Sequence, residues 1–142
     1  FIAGLVQLSA MRLCANALMQ LVIPAALNDP ESTREMIVPG GRLYEQREAV
    51  CRELDRIDGL TYVKNKAAFY IFPKLDIKKF NITDDQQFAM DFLHEKHVMI
   101  IPGRGFNWKE PDHFRIVMLP EPAIIGKAMR DLGDFLKDYK QK

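Results

Sequence analysis

The segment 98–120, VMIIPGRGFNWKEPDHFRIVMLP, most restricts what this chain can fold into. It reads as a short apolar strand, a Gly-containing loop with an aromatic pair, and a second strand with one arginine, Arg115, among apolar residues. Side chains alternate along a strand, so His113, Arg115, Val117 and Leu119 share one face and Phe114, Ile116 and Met118 the other. Neither face reads as solvated. A guanidinium in such surroundings is costly to desolvate unless something negative meets it, and its planar fork of donors fits a carboxylate in two parallel hydrogen bonds. The counter-ion is either a ligand or an internal carboxylate, Glu110 or Asp112 of the preceding loop.

With 142 residues the chain is long enough for one domain with a modest core. Its 20 basic and 19 acidic residues leave a net charge of +1, which supplies no field for nucleic acid or an anionic membrane. Cys14 and Cys51 both sit among apolar residues and form no disulfide framework; they read as reduced core thiols of a cytoplasmic protein.

Residues 1–27 hold a single charge, Arg12, which raises the question of a membrane span or signal sequence. Spanning needs about 20 uninterrupted apolar residues. Gln7, Ser9, Arg12, Asn16 and Gln20 break this run, and Pro24 lies near its end. A signal peptide would need a positive start, whereas the chain opens Phe1-Ile2-Ala3-Gly4. The start without Met suggests a fragment, whose apolar opening is expected to pack on a neighbouring domain or subunit. Ser9, Arg12, Asn16 and Gln20 would share one face of a continuous helix; the preferred reading is a break, with Asn16 capping a second helix that reaches Ala26 and is stopped by Asn28-Asp29-Pro30. Residues 29–38 read as a connector or a single helical turn before Pro39-Gly40-Gly41.

From Arg42, Leu43, Val50, Leu54 and Ile57 recur three and four apart, with Arg47 filling the stripe, and predict a long helix that stops at Asp58-Gly59. Strands are expected over 61–64 and 68–72, the second halted by Pro73. Thr83 is the expected cap of the next helix, which runs to about Lys96. Strands over 98–101 and 113–119 follow. A last helix starts at Pro122 and buries Ile125, Met129, Leu132, Phe135, Leu136 and Tyr139. The order helix, strand, strand, helix, strand, strand, helix predicts an α+β fold, with a small, mostly antiparallel or mixed sheet covered by helices.

Four blocks in this order carry a family resemblance: MRLCANALMQ at 11–20, PGGRLYEQREAV at 39–50, AAFYIFPKLD at 67–76 and PGRGFNWKEPDHFRIVMLP at 102–120. They resemble the C-terminal part of the class I/II, fold-type I aminotransferases that use pyridoxal 5'-phosphate, and within them the alanine aminotransferase-like branch. The resemblance implies three parts. Residues 1–38 would be an apolar helical segment of the large-domain and interface region, 39–60 the long interdomain helix, and 61–142 the small domain. It implies that Arg115 grips the substrate α-carboxylate and that the loop at 102–107, with Phe106, lies beside the active-site mouth. It also implies amino-group exchange between alanine and 2-oxoglutarate, amino and keto acids as small-molecule partners, and a cytoplasmic homodimer. Arg12 lies near the position where some relatives supply a second arginine from the partner subunit for a dicarboxylic side chain; the other readings are a structural salt bridge or a charge on a helix face.

The family's Schiff-base lysine would fall before Phe1. None of the lysines here has its surrounding pattern, so no catalytic residue is expected in this chain, no covalent cofactor, and no turnover by the chain alone. Ala67 stands where relatives often carry Gly, and Arg104 where they often carry a small residue; either could alter substrate preference. The reading from another class is a non-catalytic α+β ligand-binding or interaction module.

Other constellations are weaker. His94 and His97, with His113 as a conceivable third, lack a partner to complete a metal site, so no metal is expected. Phe69, Tyr70 and Phe72 lack the interleaved Gly and basic residues of an RNA-stacking sheet and read as core. Phe106 and Trp108 either close over a substrate or pin the loop to the sheet.

Overall fold

The computed structural model describes residues 1–12 and 14–142, which divide into a unit of residues 1–36 and a unit of residues 37–142. The fold is α+β, with small antiparallel sheets.

The first unit is helical: α1 (Ile2–Arg12), α2 (Ala17–Leu27) and α3 (Pro30–Ile37). Asn16 caps α2 as expected, its side chain accepting from the Met19 amide at 3.1 Å. Pro24 sits inside α2 and gives up one backbone donor there. Residues 29–38, expected to be a connector or one turn, instead form the eight-residue α3. Pro30 is pre-set for a first helical position, and Asp29 accepts from the Ser32 amide. None of the three helices has a buried residue, and Ile2, Val6, Leu8, Met11, Leu18, Leu21 and Leu27 stand exposed. Among the described residues no single helix is long and apolar enough to cross a membrane. Cys14, expected to be a core thiol, is exposed, because this unit by itself encloses no core; Cys51 is buried, and burial pushes its thiol pKa up.

The second unit opens with α4 (Arg42–Leu54), which ends a turn earlier than the apolar stripe suggests. Residues up to Ile57 close through turns, with the Ile57 amide donating to Leu54 O at 3.0 Å, so Ile57 reaches the core without helical backbone. β1 (Leu60–Thr61), β2 (Tyr70–Ile71) and β3 (Lys74–Leu75) follow, then a short α5 (Ile77–Phe80) and α6 (Asp85–Lys96). After them come β4 (Ile101–Pro102), a 3-10 turn (Gly103–Phe106), β5 (Phe114–Val117) and α7 (Pro122–Asp138). β3 and α5 are additional to the expected elements. Pro73 does not end the pairing: its carbonyl accepts from Phe114 N at 3.2 Å, and Leu75 N donates to Asp112 O at 2.7 Å. Thr83 is not the cap of α6. Asp84 is, accepting from the Gln86 and Gln87 amides, because a carboxylate meets the helix N-terminus better than a hydroxyl does.

β5 is the middle strand of the order β2-β5-β4, antiparallel to both neighbours. Register sets Ile71 opposite Ile116 and Pro102 opposite Phe114 on one face, and Tyr70 opposite Val117 and Ile101 opposite Arg115 on the other. The first face is core: Phe114, Ile116 and Met118 pack with Phe88, Phe92, Met129, Leu132 and Phe135 from α6 and α7, and with Val50 and Leu54 from α4. The expected stripe of α7 is buried, Tyr139 only partly. The second face is half-exposed. The sheet is therefore not dry on both sides. Tyr70, expected to be core, is exposed because Ile71 takes the inward position in β2; Phe69, which precedes the strand, is exposed as well, and Phe72 is only half-buried.

Gln141 is buried near the end of the chain and closes the fold there. Its Oε1 accepts from Thr83 N at 2.6 Å and Asp84 N at 2.9 Å, and its Nε2 donates to Asp84 O at 2.7 Å. Gln141→Ala would leave these backbone groups without partners and is expected to cost about 1–3 kcal/mol of stability, read by chemical denaturation.

Candidate functional site

Arg115 projects from the middle strand on the half-exposed sheet face, and its guanidinium lies over two aromatic rings. The Tyr70 ring centroid is 4.5 Å from its Cζ and the Phe106 centroid 4.3 Å. Each such contact contributes ~0.5–2 kcal/mol, depending on how far it is desolvated. The Arg115 Nε is buried with no hydrogen-bond partner, and among the described residues no carboxylate pairs with this side chain.

The internal carboxylates raised by the sequence are elsewhere. Glu110 is exposed. Asp112 is buried and fully engaged: its Oδ1 accepts from Trp108 Nε1 at 2.8 Å and bonds His113 Nδ1 at 2.6 Å, while Lys74 Nζ lies 3.4 Å from Oδ2. Burial alone would raise the Asp112 pKa. The hydrogen bonds from His113 and Trp108, with the electrostatic pull of His113, outweigh it and hold the carboxyl below its ordinary value of 3.8.

Phe106 reaches Arg115 from the 3-10 turn, whose backbone is set by close approach to β5. Gly103 N donates to His113 O at 2.8 Å, and a Cβ on Gly103 would stand 2.8 Å from that same oxygen, so only glycine fits. Asn107 ends the turn in the left-handed region, at φ 59°, which asparagine tolerates. Of the two loop aromatics, Trp108 pins the loop through Asp112, whereas Phe106 covers the guanidinium.

Arg104 is tied to the start of α6 rather than left free. Its amide donates to Asp85 Oδ2 at 2.8 Å, its Nε to Asp85 Oδ1 at 2.5 Å and its Nη2 to Asp84 Oδ1 at 2.6 Å. Ala67 is exposed, and the backbone position that wants glycine is its neighbour Ala68, at φ 61°. Asn65 Nδ2 donates to both their carbonyls. Arg12 ends α1 in the first unit and is exposed, whereas Arg115 and Phe106 belong to the second. No three His, Cys, Asp or Glu side chains gather as metal ligands among the described residues. Two grooves of the second unit, about 570 and 800 Å³, are not lined by Arg115.

Sequence reading missed Tyr70 as a partner of Arg115 and missed the cluster of Phe72, Trp108, His113 and Asp112. The parity of Tyr70 and Phe72 around an inward Ile71 was the available signal.

Residues 2–130 match the family profile described as aminotransferase class I and II. Over 141 residues, 99% of the chain, it is 48% identical to the glutamate-pyruvate aminotransferase AlaA of Haemophilus influenzae, covering 35% of that protein. It is 41% identical to the alanine aminotransferase of Mycobacterium tuberculosis, again over 99% of this chain and covering 33% of that one. The crystal structure of an aminotransferase from Escherichia coli superposes with a TM-score of 0.89 at 46% identity, over 99% of this chain and 35% of the other. Alanine aminotransferase from Pyrococcus furiosus gives 0.74 at 32% identity, over 93% and 33%. The chain thus spans about a third of the length of the curated relatives it matches.

Because the Asp112 pKa is lowered on folding, its contribution to stability is complete above the ordinary carboxylate value and is lost as pH falls through the lowered one. Melting temperature is expected to drop below pH ~4, and Asp112→Asn to flatten that slope, with Trp108 emission as the probe.

Proposed function

Since the chain belongs to the aminotransferase class I and II family, we propose that its second unit is the part of the enzyme that grips the α-carboxylate of amino and keto acids, with Arg115 as the donor. The supporting observation is a guanidinium lying over two aromatic rings, with a buried unpaired Nε and no carboxylate of its own among the described residues. Tyr70 and Phe106 offer the guanidinium no acceptor, and a carboxylate meets its planar fork of donors with two parallel hydrogen bonds. The rings also displace water, which strengthens the ion pair. Amino and keto acids share the α-carboxylate, so one arginine serves both half-reactions and fixes where the α-carbon lies.

The amino-group exchange is between alanine and 2-oxoglutarate, on the reading that relatives named glutamate-pyruvate aminotransferase interconvert that pair with pyruvate and glutamate. Arg12 is the candidate for the second carboxylate of the five-carbon acids. Residues 1–36 lie against the remainder of the intact protein, which would cover their exposed apolar side chains, and the intact protein is a homodimer whose small domain, residues 61–142, closes on substrate.

The family depends generally on pyridoxal 5'-phosphate, which acts as an electron sink. This chain's own residues do not fit a covalent seat for it. Of its eleven lysines nine are exposed, and the half-exposed Lys79 and Lys96 are paired with Asp58 and Glu95. A Schiff-base lysine needs desolvation or a neighbouring cation to lower its pKa. The chain by itself therefore does not turn over. Borohydride treatment of the 142-residue chain with pyridoxal phosphate is expected to trap no single lysine saturably; one trapped site would overturn this.

In the full-length protein, Arg115→Ala should lower kcat/KM for alanine by roughly 10²–10³, as loss of a desolvated charge partner costs ~2–5 kcal/mol. The cofactor absorbance should stay unchanged. A loss under about threefold, or equal loss of cofactor, counts against the reading.

A further inference from the structure

Phe106 has no polar atom with which to fix itself, yet its ring stands 4.3 Å from the Arg115 Cζ. It sits on an exposed loop, and what holds it there is a set of rings rather than a hydrogen bond. Phe72 is the hub: its centroid lies 6.0 Å from Phe106 and 5.8 Å from Trp108, both edge-on, and 4.9 Å from His113, stacked. Trp108 and His113 also touch each other, at 4.4 Å. Two of the rings that contact Phe72 are both bonded to a single oxygen, Asp112 Oδ1, from the Trp108 indole at 2.8 Å and the His113 Nδ1 at 2.6 Å.

The rest of the loop is fastened independently. Gly103 is held to β5 by the His113 carbonyl, and Arg104 to Asp84 and Asp85 at the start of α6. Those anchors fix the near end of the turn; beyond Phe106, the Asn107 amide closes the backbone by donating to Arg104 O at 3.1 Å, and Trp108 follows. Its amide donates to Gly103 O at 3.2 Å, and its side chain depends on Asp112.

We propose that Asp112 is a positioning residue for the carboxylate site: by bonding Trp108 and His113 it holds Phe72, and through Phe72 the Phe106 ring that covers one face of the Arg115 guanidinium. The inference rests on the reading that Arg115 receives the substrate carboxylate. It adds that the covering ring is preset rather than recruited by substrate, so the ordering cost is met during folding and not on each binding event.

A double-mutant cycle in the full-length protein tests it. Asp112→Ala and Phe106→Ala should each raise KM for alanine ~3–10-fold with kcat within about twofold, the pattern of lost uniform binding. If Asp112 acts through Phe106, the double variant is no worse than Phe106→Ala, a coupling that a general loss of stability would not produce. Trp108→Phe keeps the ring and removes only the donor; it should raise KM in the same direction, and it replaces Asp112→Ala in the cycle if that variant does not fold. Fold-changes that multiply in the double variant overturn the inference, as does an unchanged KM in Asp112→Ala or Trp108→Phe. Arg115→Ala in the same assay separates the two levels. If it raises KM while the cycle is additive, only the positioning role falls; if it leaves KM unchanged, both fall.

Discussion

A cation lying over two aromatic rings, on a strand that pairs on both sides, is the constraint around which the second unit is organised. Arg115 can occupy the middle of a sheet only because β2 and β4 satisfy the backbone of β5 on either edge. The opposite face of β5 supplies Phe114 and Ile116 to a core closed by α4, α6 and α7. The strand is thereby rigid, and the guanidinium inherits that rigidity. Tyr70 and Phe106 lie against it, and Asp112 is engaged with other donors, so the guanidinium is left without an acid of its own among the described residues.

The surrounding polar groups show why this arrangement is affordable in a small fold. A buried carboxylate beside a guanidinium would normally collapse into an ion pair, quenching the site. Here Asp112 is turned toward Trp108 and His113, and Asp85 toward Arg104, so each acid is satisfied by a partner that also shapes the loop. At the other end of α6, His97 enters the left-handed region, while near its start Gln141 completes the backbone bonding. The helix that receives Arg104 is thus itself fixed from the end of the chain.

Periodicity was enough for α7 and for the face parity of β5, because both elements bury a repeating stripe that local spacing already encodes. It failed where the contacts are distant or unusual. Pro73 looked like a strand terminator, since it lacks a donor, but only its carbonyl is needed opposite Phe114. Tyr70 looked like core, since aromatic strands usually are, but the inward position belongs to Ile71. Residues 29–38 looked polar and aperiodic, yet Asp29 and Pro30 supply a helix start.

From its residues alone the chain declared an α+β domain and an arginine in want of an anion, because alternation, capping and charge are local properties of sequence. Which acid would leave that arginine free, and which ring would cover it, were decided by tertiary structure. Asp112 is three residues from Arg115 and Tyr70 is forty-five away, yet it is Tyr70 that stacks on the guanidinium while Asp112 faces Trp108. Sheet register and strand parity, not separation along the chain, determine which groups meet.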